Sequence, residues 1–394
     1  MRISKSLVFI IGFSAAFTNK PVSEVTFSFL HQEITLPYES GLDDLFEPAN
    51  WSPNTIELMG KQIEKLAEKD IFTKSLLDKS KALHLKGWPL YLFFKGASDT
   101  ILSDYSKATK DLFIAYLLSA SGYELAMANQ NNQLLLIIRT QSDVYGKLIQ
   151  EINGKQYFCL NQNPENWDKV ISPFTKNGTQ PFNLSLDFTN QQLIKPIKKE
   201  VSFQLIDSTY RFEIITNSNL PALLNEHPLI QPETYFKTTL SPMLINSLIP
   251  QLEDAMAMMQ IEEKVAFLMA FTRSAFKYKT DQEGYGRNRP MIAEEVFINP
   301  YSDCEDRAAL FYQLNTLLLD LPLVVLDYPN HISIGIAAHT LKVEKNTPTI
   351  NINDQAYYYC DPTGPEGYYK IGHIPPALKA ENPKPFLIFQ PQAN

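Results

Sequence analysis

The stretch Y-S-D-C-E-D-R-A-A-L-F-Y-Q-L (301–314) decides how the chain is read. Ser302 or Asp303 suits a helix N-cap, and Glu305 and Asp306 suit a first helical turn. Ala308, Leu310, Phe311 and Leu314 follow at the spacing of a buried helical face. Cys304 therefore stands at a helix N-terminus. Free backbone N–H groups and the helix dipole favour a thiolate there. The neighbouring acids oppose that effect, so the helix end alone is weak evidence for a nucleophile.

The chain path outward from Cys304 carries more weight. A helix over 305–319 runs about 22 Å at ~1.5 Å per residue. Asp320-Leu321-Pro322 stops it, and a strand over 321–327 covers about 23 Å back at ~3.3 Å per residue. Tyr328-Pro329-Asn330 turns the chain, and His331 opens the next strand at the level of the thiol. His331, Ser333 and Gly335 share one face of that strand, and Ile332, Ile334 and Ile336 the other. Asn353-Asp354 turns again, and a strand over 357–360 returns to Asp361. A carboxylate there can accept the imidazole N–H and fix its tautomer. Pro362 then ends the ladder, and Asp361-Pro362-Thr363-Gly364-Pro365 is a rigid exit. The insertion over 337–348 has no assigned element.

Each residue alone has an ordinary reading. A lone cysteine is usually a small buried hydrophobe, a lone strand histidine a satisfied core group, and D-P-T a common turn. Order, spacing and element type together favour a Cys304–His331–Asp361 triad. A serine version using Ser302 or Ser333 lacks both the helix start and the thiol. Asp281, Glu294 and Glu295 either line a cleft or are solvated loop charge, the latter being the simpler reading. Tyr285, Tyr301 and Tyr328 either form a rim or pack against the helix.

The block from Asn299 to Gly364 resembles the core of the transglutaminase-like superfamily, a papain-like cysteine fold. In that family a helix starts at the catalytic Cys, a strand starts at the His, and the Asp lies in an Asp-Pro-Thr turn. These fall here on Cys304, His331 and Asp361, and Asp306 and Ala308 match the helix pattern. F-K-Y-K-T-D-Q-E-G-Y-G-R (276–287), E-E-V-F-I-N-P-Y-S-D-C-E-D-R (294–307) and V-V-L-D-Y-P-N-H (324–331) resemble Bacteroidetes-type transglutaminase-like proteins. Two positions depart from the pattern. Ser302 stands where many members have Gly, and Ser333 where many have an aromatic residue. The resemblance implies a cysteine peptidase, isopeptidase or acyl transferase acting on a protein or peptide. It also leaves open a non-catalytic scaffold that binds peptide or glycan in the cell envelope.

Working outward, the expected class is α+β. A transglutaminase-like core over 241–394 follows a β-sandwich-like module over 166–240. That module rests on Phe182, Leu184, Leu186, Phe188, then Val201, Phe203, Leu205, then Phe212, Ile214, alternating as strands do. The methionines Met256, Met258, Met259 and Met269 read as core filling. Residues 17–100 are mixed: two strands over 24–36, then amphipathic helix over 54–85, broken near Asp70. Residues 101–165 hold a helix over 105–120, strands over 123–128 and 134–139, and a hairpin at Asn153-Gly154. This order echoes 301–362, with Ala108-Thr109, Asn132-Gln133 and Leu160-Asn161 at the triad positions. The region is thus a degenerate copy of the core or a coincidence of two αβ patterns.

Arg2 and Lys5 precede an apolar run over 7–17, and Ser14-Ala15-Ala16 offers a small-x-small cleavage site. This reads as a leader over 1–16 and places the mature chain outside the cytoplasm, secreted or periplasmic. No later stretch is apolar enough to span a bilayer. A formal charge of −8 argues against a nucleic-acid partner. Three cysteines (Cys159, Cys304, Cys360) are too few for a disulfide framework. No C-x-x-C, H-E-x-x-H, Walker loop or G-x-G-x-x-G occurs, so neither metal nor nucleotide cofactor is expected. His331 and His339 do not have the spacing of a ligand pair.

Overall fold

The computed structural model describes residues 23–167, 169–364 and 370–391. The leader over 1–16 and Pro365 lie outside the described residues. The fold is mixed α+β, and the chain divides into two compact units between Ser185 and Leu186.

In the first unit β1 (Ser23–Phe29) and β2 (Gln32–Tyr38) form an antiparallel hairpin. Helices α1 (Pro53–Ala67), α2 (Ile71–Ala82), α3 (Gly87–Ile101) and α4 (Lys107–Ala120) follow. Ser52, Asp70 and Ser106 cap three of them by accepting the backbone N–H three residues on. Phe27 and Phe29 of the hairpin meet Phe93 of α3 edge-on. The chain then builds a sheet from β3 (Leu125–Gln130), β4 (Gln133–Arg139), β5 (Ile149–Ile152) and β6 (Lys155–Cys159), in the order β3-β4-β6-β5. Asn131 and Asn132 take positive φ in the β3–β4 turn, as Asn153 and Gly154 do between β5 and β6.

The expected β-sandwich over 166–240 is replaced by one hairpin. Among the described residues there, β7 (Pro196–Leu205) and β8 (Ser208–Asn217) are the only strands, and they pair with each other. Phe182, Leu184, Leu186 and Phe188 are buried while the residues between them are not, yet this stretch joins no sheet. Alternation reports an extended chain with one dry face, and a ladder partner is a separate requirement. Two short helices, α5 (Leu220–Leu224) and α6 (Pro232–Lys237), begin at or next to the prolines that puncture the stretch after it. The hairpin packs on α7 (Pro242–Ala255) and α8 (Ile261–Ser274), so it belongs to the second unit's core. Phe203 stacks on Phe212, and both meet Phe271 edge-on. Met256 and Met269 are buried in this core, whereas Met258 is exposed.

After α9 (Asp281–Tyr285) come α10 (Cys304–Leu318), β9 (Leu323–Tyr328), β10 (His331–Ala337), β11 (Ile350–Ile352), β12 (Gln355–Cys360) and β13 (Lys384–Phe389). The sheet order is β11-β12-β10-β9-β13, each pair antiparallel. Leu323, Val325, Ile334, Ile336 and Cys360 join the core shared with α8 and α10. Val324, Leu326, Tyr328, Tyr357 and Tyr359 fill a second core on the opposite face. A sheet buried on both faces gives a rigid floor on which strand ends can hold side chains. β11 accounts for the C-terminal end of the stretch that follows the unassigned insertion.

Candidate functional site

Each expected triad residue occupies the end of an element. Cys304 is the first residue of α10, His331 the first of β10, and Asp361 directly follows β12. β10 and β12 are paired with Ile334 opposite Cys360, which brings Asp361 toward the start of β10. The His331 Nε2 stands 3.3 Å from the Asp361 Oδ2. The Cys304 thiol lies against the backbone N–H of Ile332, the residue next to His331. Because Nε2 faces the carboxylate, Nδ1 is the ring nitrogen left for proton exchange with a thiol.

Asp361 is held by several donors. Its Oδ1 accepts the N–H of Thr363 (2.8 Å) and of Gly364 (3.0 Å). The Tyr359 hydroxyl donates to Oδ2 at 3.1 Å. Burial opposes the charged form, but the His331 contact, the Thr363 N–H and the Arg273 charge together hold this carboxyl below its usual range. A side chain at Gly364 would put its Cβ 2.9 Å from Oδ2, so only glycine lets the loop wrap the carboxylate this closely. Arg273 of α8, which is buried, donates from Nη2 to the Asp361 carbonyl oxygen.

The thiol's surroundings are acidic. The Cys304 Sγ donates to the Glu305 Oε2 at 3.2 Å. Burial first, and then the Glu305 charge, push the thiol well above its ordinary range. The helix end does not win here, because desolvation and an adjacent carboxylate oppose it. Beneath lie Asp281, Asp303 and Asp306, with carboxylate oxygens within 4.8 Å of one another. Asp306 accepts the N–H groups of Met291 (2.9 Å) and Asp303 (3.1 Å). Burial, followed by the charges of Glu305 and Asp281, pushes Asp303 up to about 8. Asp306 is raised by its own burial and then by Asp303. Such oxygens suit a hard cation, but shared protons neutralise them equally well.

A short segment walls one side. Tyr278 bridges Ser302 in parallel, with the Lys279 N–H bonded to the Ser302 oxygen at 3.3 Å and the Ser302 N–H to the Lys277 oxygen at 3.1 Å. The Arg307 guanidinium lies 5.1 Å from the Tyr278 ring centre and donates to the Phe276 oxygen (2.6 Å) and Ser302 Oγ (3.2 Å). Burial, and then the Cys304 and Asp303 charges, push the Tyr278 phenol up to about 12.

Several expectations need correction. Glu294 and Glu295 are buried structural acids, not solvated loop charge. Glu294 accepts from Thr216 Oγ1 (3.0 Å) and the Ser241 N–H (2.7 Å), and Glu295 pairs with Arg289 at 2.6 Å. Asp281 is also buried, and its carboxylate accepts the Arg289 N–H. Tyr328 packs on Tyr359 in the second core and is no rim residue. Tyr285 donates to the Tyr301 oxygen at 3.1 Å, and Lys279 sits 4.0 Å over the Tyr301 ring. Cys159, Cys304 and Cys360 are all free and buried. His339 lies beyond the far end of β10 from His331. Comparison of the chain with family models, curated proteins and solved structures gives no match.

Proposed function

We propose that the second unit is a transglutaminase-like cysteine enzyme that attacks amide bonds of proteins or peptides. The Cys304 thiol passes its proton to His331 Nδ1, and the thiolate forms a bond to the amide carbon. The N–H groups of the first turn of α10 have no intrahelical acceptor and can receive the oxyanion. Imidazolium then protonates the departing amine, leaving an acyl-thioester on Cys304. Water, deprotonated by His331, releases the acid; an amine in its place completes acyl transfer. Asp361 accepts from the imidazole Nε2 and keeps the ring oriented.

The observation that carries this reading is the Asp361 carboxylate on His331 Nε2, with the Cys304 thiol beside the next residue of the same strand. The raised, Glu305-bonded thiol favours a second reading, a scaffold of the same fold without turnover. The leader-like segment supports a secreted or periplasmic site of action for either. A thiol-directed peptide probe with mass-spectrometric mapping separates them. The enzyme reading expects labelling at Cys304 that depends on His331 and disappears in Cys304→Ala. Labelling of Cys304 that is equally fast in His331→Ala supports the scaffold.

A further inference from the structure

Glu305 has two features that the proposed reaction does not use. Its carboxylate is the acceptor of the nucleophile's own S–H. It is also the only partly exposed member of the acidic group Asp281, Asp303, Glu305 and Asp306; the other three are buried. Among the described residues no salt bridge reaches any of the four. The nearby guanidinium groups reach these acids only as longer-range charges, Arg289 and Arg287 on Asp281 and Arg307 on Asp303 and Asp306, and make their side-chain bonds elsewhere. Arg307 is bound to Phe276, Ser302 and the Tyr278 ring, Arg289 to Glu295, and Arg273 to the Asp361 carbonyl. The Asp303 Oδ1 is buried with no hydrogen-bond donor opposite it. Beside the thiol, Glu305 thus presents a partly exposed carboxylate that no salt bridge reaches, whereas burial favours the protonated forms of Asp303 and Asp306.

Resting on the thiol reading of Cys304, we infer that Glu305 selects acyl donors with a protonated lysine or arginine side chain beside the attacked amide. The substrate cation takes over the carboxylate, and the thiol is released from it at the same moment. Binding and activation are then one event. Without a cation, Glu305 keeps the S–H in place and its charge opposes the thiolate. With one, that charge is neutralised and the barrier to proton transfer onto His331 falls. The groups acting on the thiol are Glu305 and Asp303 from α10 and its cap, the Ile332 N–H from β10, and, from the wall segment, Tyr278, on which the thiol's charge acts in turn. Of the side chains among these, Glu305 alone is both bonded to the sulfur and open to solvent. An anionic side chain in the same place would meet a like charge and be excluded.

Two measurements on the full chain test this. The first needs no turnover. Cys304 is modified with cationic 2-aminoethyl methanethiosulfonate and anionic 2-sulfonatoethyl methanethiosulfonate, each rate being scaled to free cysteine. Wild type is expected to favour the cationic reagent by tenfold or more, and Glu305→Gln to lose most of that ratio. Glu305→Asp, which keeps the charge, should retain part of it. The Gln variant should also react faster than wild type with neutral iodoacetamide at pH 7, since the brake is gone. The second compares kcat/KM for peptides differing only as lysine or norleucine beside the scissile bond. A wild-type preference for lysine that Glu305→Gln abolishes supports the inference. An unchanged charge ratio in Glu305→Gln overturns it, as does a cation effect seen only with a free amine acceptor. A chain with the charge ratio but no turnover of any peptide overturns the enzyme reading and leaves Glu305 as a cation selector.

Discussion

Two regions of this chain share one topology and differ at every position that would do chemistry. In the first unit α4 leads to β3, β4, β5 and β6, ordered β3-β4-β6-β5; in the second, α10 leads to β9, β10, β11 and β12, ordered β9-β10-β12-β11. Ala120 and Leu318 end the helices, Leu125 and Leu323 open the first strands, and Gln133 and His331 open the second, all at one constant spacing. Even the outer edge is alike. β9 is paired by β13, and β3 is bridged by Ile171. At the same spacing Ser106 stands for Cys304, and the ladder places Asn161, which follows Leu160, where Asp361 follows Cys360. The sequence echo had put Ala108-Thr109 at the thiol position, but the helix ends place Ser106 there.

The chemistry differs because the local partners differ. Ser106 is a helix cap whose hydroxyl donates to Glu47 at 2.6 Å. Gln133 is exposed and can neither take nor give a proton as an imidazole does. The Asn161 amide donates to Asp111 at 2.6 Å and to the Leu134 oxygen at 3.0 Å. The first unit has spent its helix start and strand end on internal bonds. In the second, the matching positions hold a partly exposed imidazole and a buried carboxylate that face each other at 3.3 Å. A shared frame supplies places; the residue types decide whether the places react.

The largest expected effect comes from making the second unit resemble the first. Asp361→Asn copies Asn161 and keeps an acceptor for the Thr363 and Gly364 N–H groups, so the fold should persist. It removes the charge that keeps the ring oriented. Turnover should fall by about 10²–10⁴-fold, as for an uncharged third member of a triad. Steady-state kcat on any turned-over peptide, beside a melting curve, decides it. Full activity in a folded Asn variant would mean that the two slots differ in name only.

Next is the first unit's own device. Glu47 accepts from Ser106 Oγ, the Ser106 N–H (3.2 Å) and Thr109 Oγ1 (3.0 Å), placing a carboxylate at the positive end of α4. Glu47→Ala should cost about 1 kcal/mol, a cap's usual contribution, and lower the melting temperature of that unit by about 2–4 °C. The labelling rate of Cys304 should stay unchanged. A loss of labelling would tie the first unit to the chemistry and break the contrast.

How much of this could be seen in the sequence depends on the range of the interaction. The ends of α10, β10 and β12 were legible because caps, Pro322 and the Asn-containing turns act within a few residues. The hairpin turns at Asn131-Asn132, Asn153-Gly154 and Pro329-Asn330 were legible for the same reason. The support around the site was not. Arg273 reaches the carbonyl of Asp361, Tyr278 bridges Ser302, and Glu294 serves the hairpin at Thr216, all across long stretches of chain with no periodic signal. The stretch around Phe182–Phe188 misled for the converse reason: its pattern was real, but pattern does not supply a neighbouring strand. Glu305 was visible only as a charge that weakened the case for Cys304, whereas its hydrogen bond to the sulfur makes it a candidate selector.

The smallest expected effect probes why the second unit tolerates its buried acids at all. The Asp303 carboxyl is raised to about 8 from an ordinary value near 3.8 by burial and by Glu305 and Asp281. The folded state therefore holds its proton over a pH range in which the unfolded chain has lost it. Stability from this group is greatest below about pH 4 and declines as pH rises toward 8, the sign opposite to that of a salt-bridged aspartate. Asp361, whose carboxyl is lowered, has the usual sign and loses its contribution as pH falls through its depressed range. Asp303→Asn keeps a good N-cap and removes the charge. Its melting temperature should lie closest to wild type near pH 4 and exceed it by a growing margin of several °C as pH rises toward about 8.5. A constant difference between the two variants across that range would mean that Asp303 is ionised throughout. The cluster would then be neutralised by something other than its own protons, as the Asp111 carboxylate of the first unit is by Lys107 at 2.6 Å.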